Sequence, residues 1–143
     1  MKNFLLAVTI TLAIYFIWNY IESYKQVSEV IDGDTFKISG QSIRLIGINS
    51  PELGDPCSIE AKDKLAELIK GKKIRMDKDA GEKDEYGRLL RYVYVDDLFV
   101  NAEMVRLGLA KFEEIEPNVK FSSLFLEMEN NARKTKRCIW SAT

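Results

Sequence analysis

From Phe4 to Trp18 (FLLAVTITLAIYFIW) the chain has no charged position, and the run continues through Asn19, Tyr20 and Ile21 before the first acid, Glu22. A helix over Phe4 to Ile21 spans about 27 Å, close to a bilayer core of about 30 Å. A run with no polar face suits lipid better than the flank of a small domain. No small-x-small site follows it, Trp18 and Tyr20 suit an interfacial belt, and Lys2 is the only charge before Glu22. These features predict an N-terminal hydrophobic helix in residues 1–23 that acts as an uncleaved signal anchor. Cleavage near Ser23, giving a secreted chain, and a buried core helix are the alternatives. In the anchored form residues 4–21 cross the cell membrane once and residues 24–143 lie outside the cytoplasm.

The pattern then changes to short alternating segments. Tyr24 to Asp32 and Thr35 to Ile38 read as strands around a turn at Gly33, and Ser42 to Ile48 (SIRLIGI) as a third. Ser58 is placed to cap a helix through about Ile69, with Ala61, Leu65, Leu68 and Ile69 on one face and Gly71 beyond its end. Ile74 to Asp77 and Leu89 to Val95 (LLRYVYV) read as strands around a polar, mobile loop from Lys78 to Gly87. Asn101 is placed to cap a second helix that closes at Gly108, and an amphipathic helix is predicted from about Ser122 to Thr135. Five strands, with one helix after the third and two at the end, suggest an α+β domain: a five-stranded OB-type barrel carrying three helices. No linker or repeat divides it. Tyr92, Tyr94 and Phe99 read as core, and the basic groups Lys70 to Lys78 and Arg133 to Arg137 as solvated surface.

Composition narrows the chemistry. Among 143 residues there is no histidine, so histidine nucleophile activation, a histidine base and histidine-ligated metals are excluded. Lys and Arg number 21 against 22 Asp and Glu, a net charge of −1, which by itself argues against a phosphate-binding surface. Two cysteines without histidine do not make a zinc site. In an oxidising compartment Cys57 and Cys138 suit a disulfide between an early loop and the C-terminal segment; two buried thiols are the alternative.

Three segments concentrate carboxylates and arginines. Asp32-Gly33-Asp34-Thr35 puts two carboxylates on a turn where side-chain oxygens reach a hard cation, although Asp-Gly also suits a plain hairpin. An EF-hand is excluded because Lys37 and Ile43 would fall at its glycine and glutamate positions. Arg44 sits in the apolar run Ile43 to Ile48, on the side opposite Ile43 and Leu45, so it either snorkels or is held in a site. Asn49-Ser50-Pro51-Glu52 follows, and Asp84-Glu85-Tyr86-Gly87-Arg88 supplies a second arginine at the mouth of a strand. A carboxylate-bound cation, two guanidinium forks and a carboxylate for water form a set suited to phosphodiester hydrolysis. Paired carboxylates alone would also suit a glycosidase, but arginines hinder an oxocarbenium ion.

The segments VIDGDTFKISGQSIRLIGINSPE (Val30 to Glu52), DEYGRLLRYVYVDD (Asp84 to Asp97), VNAEMVRLGLAK (Val100 to Lys111) and IWS (Ile139 to Ser141) resemble the staphylococcal nuclease, or thermonuclease, family in order and spacing. The resemblance implies an OB-fold barrel with three helices and a calcium-dependent endonuclease that cuts DNA and RNA to leave 3′-phosphate ends. It implies Asp34, Asn49 and the Ser50 carbonyl as Ca2+ ligands, with Asp32 further out. Glu52 would orient or deprotonate water, Arg44 and Arg88 would clamp the phosphate, and Tyr86 would line the nucleotide site. The expected partners are DNA and RNA, met by a monomer. The chain departs from the family pattern at Asn49, where the family usually has aspartate, so weaker calcium binding is expected. Glu85, Glu114 and Glu116 stand where the best-known member has a lysine and two tyrosines, which predicts weaker nucleotide binding. The alternative of another class is a membrane-tethered OB-fold nucleic-acid-binding module that has lost catalysis.

Overall fold

The structure, a computed structural model, describes residues 8–17 and 26–141. Residues 8–17 form a helix, α1, of exposed apolar side chains. No helix among the described residues is long and apolar enough to cross a membrane. The rest of the expected anchor, and cleavage near Ser23, lie outside the described residues.

The body follows the order β1 (Val27–Val30), β2 (Thr35–Ile38), β3 (Gln41–Leu45), β4 (Ile48–Asn49), α2 (Ser58–Ile69), β5 (Ile74–Asp77), β6 (Leu89–Val95), β7 (Leu98–Phe99), α3 (Val100–Arg106), β8 (Lys111–Phe112) and α4 (Ser122–Lys134). A 3-10 turn at Cys138–Trp140 closes it. The main sheet runs β1-β2-β3-β6-β5, with β7 paired to β6, and β4 and β8 form a separate antiparallel pair. All neighbours are antiparallel except β3 and β6, which pair in parallel from Ile43↔Leu89 to Leu45↔Arg91. The five long strands are those expected from the alternation. The expected closed barrel is an open, curled sheet here, because β1 and β5 are not paired among the described strands.

The third predicted strand corrects most sharply. Pairing of β3 stops at Leu45, a turn follows, and β4 resumes at Ile48. Gly47 makes the turn with φ of 79°, and any Cβ there would lie 2.3 Å from the Phe125 ring. The bend breaks the alternation, and Ile46 and Ile48 on either side of it are both fully buried. Asn101 is also corrected. It lies within α3, not at its cap, and is fully buried. Its Oδ1 accepts the Val93 N–H at 2.9 Å, and its Nδ2 donates to the carbonyls of Ile46 (2.9 Å) and Arg91 (3.2 Å). The Arg91 carbonyl also accepts the Ile46 N–H at 3.0 Å, so the amide bridges the two strands just where β3 bends away and supplies buried backbone groups with partners. Ser58 is the first residue of α2 rather than its cap, so the helix opens one residue earlier than expected, with Cys57 at the cap position.

The core is formed by Phe36, Ile43, Leu45, Leu65, Ile69, Val93, Val100 and Met104, all at most 2 % exposed, between the concave sheet and the helices. Tyr92, Phe99, Phe121 and Phe125 pack edge to face beside it, with Tyr92 and Phe121 centroids 4.7 Å apart. The polar segment expected to be a mobile loop is bonded along its length. Tyr92 donates its hydroxyl to Asp79 (2.7 Å), the Gly81 N–H donates to Asn118 Oδ1 (2.7 Å), and the Leu90 N–H donates to the Glu82 carbonyl (2.9 Å). A disulfide joins Cys57 to Cys138 across 81 positions, with their Cα atoms 6.1 Å apart.

Candidate active site

The turn between β1 and β2 delivers Asp34 to the interior. Gly33 is required by crowding rather than by φ: a Cβ there would lie 2.6 Å from that of Ala61 in α2 and 2.7 Å from that of Ser50. This close approach seats the turn against the Asn49-Ser50 segment. Asp34 is 2 % exposed and is bonded by three donors. Oδ1 accepts from Arg44 Nη1 (2.5 Å) and Thr35 Oγ1 (2.8 Å), and Oδ2 accepts the Ser50 N–H (2.7 Å). Its own N–H donates to Asp32 Oδ1 at 3.0 Å. Burial first, and the neighbouring Asp34 charge second, push the Asp32 carboxyl above its usual value.

Arg44 is the hub. Burial would lower its affinity for a proton, but Asp34 and then Glu113 outweigh that and raise it, so it is firmly cationic. Its Nη2 donates to Glu113 Oε2 at 3.0 Å, and more distantly to the Ile48 carbonyl (3.3 Å) and Asn49 Oδ1 (3.4 Å). Of the two possibilities read from its position, snorkelling or a held site, the structure gives the second. Glu113 was missed by the sequence reading, which singled out Glu114 and Glu116. It reaches Arg44 because β8 pairs with β4, Asn49 opposite Lys111 and Ile48 opposite Phe112, and because its N–H donates to the Gly47 carbonyl at 3.1 Å.

Two clefts meet at the Arg44–Asn49 contact. One, of about 340 Å³, is lined by Arg44, Arg88, Tyr86, Asp84, Glu85, Glu113 and Glu114 among others. In it Asp84 fixes Arg88, accepting from Nε (2.6 Å) and from the backbone N–H (2.9 Å). Burial would raise the Asp84 carboxyl, but the Arg88 bonds prevail and hold it low. Both Nη groups of Arg88 lack a protein partner among the described residues. The guanidinium lies 5.3 Å from the ring centre of Tyr86, which is 76 % exposed. The second cleft, about 320 Å³, is lined by Asn49, Ser50, Pro51, Glu52, Asp55, Pro56, Lys111 and Ile139. Glu52 is exposed there, in a turn closed by the Asp55 N–H on its carbonyl (2.9 Å). Pro56 and Ile139 adjoin the two disulfide cysteines, so the bridge braces this wall.

Thus Asp34, Arg44, Asn49 and Ser50 are in direct contact, Arg88 and Tyr86 share a cleft with Arg44, and Glu52 shares the adjoining one with Asn49 and Ser50. No group of three or more Asp, Glu, Cys or His side chains able to hold a metal occurs among the described residues. The donors present are nevertheless hard oxygens suited to calcium: a spare lone pair on Asp34 Oδ2, the Asn49 amide, the Ser50 carbonyl and the Asp32 carboxylate. Crowding of the Asp32 and Asp34 charges is itself relieved by a cation, and so the donor set fits Ca2+.

Comparison with known proteins bears on the whole body. The model of the family "Staphylococcal nuclease homologue" matches residues 42–142, a stretch that includes Arg44, Asn49, Glu52, Tyr86 and Arg88. The thermonuclease of Staphylococcus hyicus is 34% identical over 130 residues, covering 84% of this chain and 76% of that protein. Two proteins of Bacillus subtilis (strain 168), the endonuclease YncB and the SPbeta prophage-derived endonuclease YokF, are each 34% identical over 127 residues. The matches cover 80% of this chain but 60% of YncB and 43% of YokF, so the chain spans less than two thirds of either Bacillus protein. The chain therefore belongs to the staphylococcal nuclease family of nuclease hydrolases.

Proposed function

We propose that this chain is a calcium-dependent endonuclease that hydrolyses DNA and RNA to 3′-phosphate ends. The observation that carries the reading is Arg44, anchored on buried Asp34 and lining one cleft with Arg88, while its neighbour Asn49 lines the next with Glu52. Asp34, Asn49 and the Ser50 carbonyl, with Asp32 behind them, would hold Ca2+. When bound, the ion supplies positive charge that offsets the phosphate and its developing negative charge. Arg88, fixed through Nε, offers two unpaired Nη donors to phosphate oxygens, and Arg44 offers Nη2. Glu52 accepts a proton from the attacking water. The new P–O bond forms as the bond to the 5′ oxygen breaks, and that oxygen leaves with a proton from solvent. Tyr86 offers an exposed ring to the base or sugar.

The sheet is read as an OB-type barrel left open at one seam, and the protein as a monomer. The apolar run before Glu22 and the disulfide together support a domain held outside the cytoplasm, tethered by the membrane or secreted. A binding module without catalysis is the second reading. It is favoured by the uncharged Asn49 and by Glu113 on Arg44. The two readings separate when cleavage and binding of single-stranded DNA are measured with calcium and with EDTA: the enzyme cuts only with calcium, whereas the module binds in EDTA and does not cut.

A further inference from the structure

The mechanism above makes no use of Glu113, yet this carboxylate occupies the guanidinium edge that a phosphate must reach. Of the two acids on Arg44, Asp34 is tied by three donors and its side chain is 3% exposed, so it stays. Glu113 has a side chain 45% exposed, and Arg44 is its one side-chain partner among the described residues. Its backbone is fixed on Gly47 while its carboxylate faces the cleft mouth. Only the Glu113 end of the pair is open to solvent, and Arg44 keeps its buried partner Asp34 when Glu113 leaves, so an incoming anion exchanges with Glu113 without leaving a buried charge unpaired. The surrounding acids, Asp84, Glu85 and Glu114, outnumber with Glu113 the two arginines of the cleft.

We propose that Glu113 is a specificity-determining residue, a displaceable counter-ion on Arg44 that admits internal phosphodiesters and rejects terminal phosphates. The proposal rests on the nuclease reading. Repulsion scales with ligand charge, so a phosphomonoester dianion is disfavoured about twice as strongly, in free energy, as a diester monoanion. Binding therefore favours internal linkages over chain ends and mononucleotides. After cleavage the new 3′-phosphate, now a dianion, meets the returning Glu113 and is expelled, which limits product inhibition.

The test uses the full chain in calcium, as wild type, Glu113→Gln and Glu114→Gln. Glu114 lines the same cleft but makes no ion pair among the described residues, so it controls for net charge. KM for single-stranded DNA and the inhibition constant of a nucleoside 3′-monophosphate are measured. Glu113→Gln is expected to lower KM about threefold and the inhibition constant about tenfold, the square of the first effect, and Glu114→Gln to change both less. Unchanged or raised values in Glu113→Gln, or equal gains in both variants, overturn the proposal while leaving the nuclease reading intact. If the wild type cuts nothing, the nuclease reading fails, and equilibrium binding of the same monophosphate decides separately: tighter binding in Glu113→Gln supports the counter-ion role, and equal binding overturns it.

Discussion

Arg44 is a buried structural cation and, in the proposed function, also a phosphate ligand, and the two roles complicate its mutation. Replacing it with alanine leaves Asp34 buried without its cation, a loss of about 3 to 5 kcal/mol that would obscure any effect on chemistry. Arg88 and Glu52 are better probes because neither is fully buried. Arg88→Ala and Glu52→Gln should each lower kcat by about 10² or more, with melting temperatures close to the parent's. Asn49→Asp restores a carboxylate to the proposed cation site, and a calcium titration of cleavage should then half-saturate at a concentration roughly tenfold lower. At this scale most of the candidate site was legible in sequence, because an arginine in an apolar strand and acids on a glycine turn are anomalous for a core. Glu113 was not visible. Its partner lies 69 positions away, and its segment Lys111-Phe112-Glu113 looks like ordinary surface until β8 is laid against β4.

Among the elements, the bend at Ile46-Gly47 decides the architecture of the site, since it separates β3 with Arg44 from β4 with Asn49. Asn101 supplies buried backbone groups at the bend with partners. Asn101→Ala strips three bonds, two of them to backbone groups of the fully buried Ile46 and Val93, and should destabilise the fold by about 3 kcal/mol, read as a lowered midpoint in urea. Alternation identified the five long strands and periodicity the helices. It could not reveal a strand interrupted by one glycine, because Ile46 and Ile48 are buried on both sides of the break. Nor did the cap residue rule identify Asn101: its amide bonds across to the sheet, and that need arises only in the tertiary fold. The segment 78–87 read as mobile because its composition is polar, but its polar groups are spent on Arg88, Tyr92 and Asn118.

For the whole molecule, the disulfide and the carboxylate network set stability. Cys57→Ser with Cys138→Ser, or reduction, should cost about 4.5 kcal/mol in the loop-entropy account for this separation, seen as a fall in melting temperature. Hydrogen bonds outweigh burial at Asp79 and Asp84, and the Arg106 bonds act on Glu103, so all three carboxyls lie below their usual values of 3.8, 3.8 and 4.5. Their stabilisation is present above those usual values and is lost as pH falls through the lower folded ones. Asp32 has the opposite sign: its raised pKa makes the fold less stable as pH rises from 3.8 through the folded value. Urea midpoints should therefore fall steeply below about pH 4. A net charge of −1 does not by itself argue against a nucleic-acid substrate, because two arginines, and in the proposed function a bound cation, would concentrate positive charge at the site while acids surround it.

The most direct test of the account is the initial rate of single-stranded DNA cleavage by the full chain, wild type against Arg88→Ala, in millimolar calcium and in EDTA. The account predicts cutting by the wild type in calcium, none in EDTA, and a rate at least about 10² lower for Arg88→Ala. Equal cutting by the two proteins, cutting that persists in EDTA, or DNA binding without any cutting in calcium would contradict it.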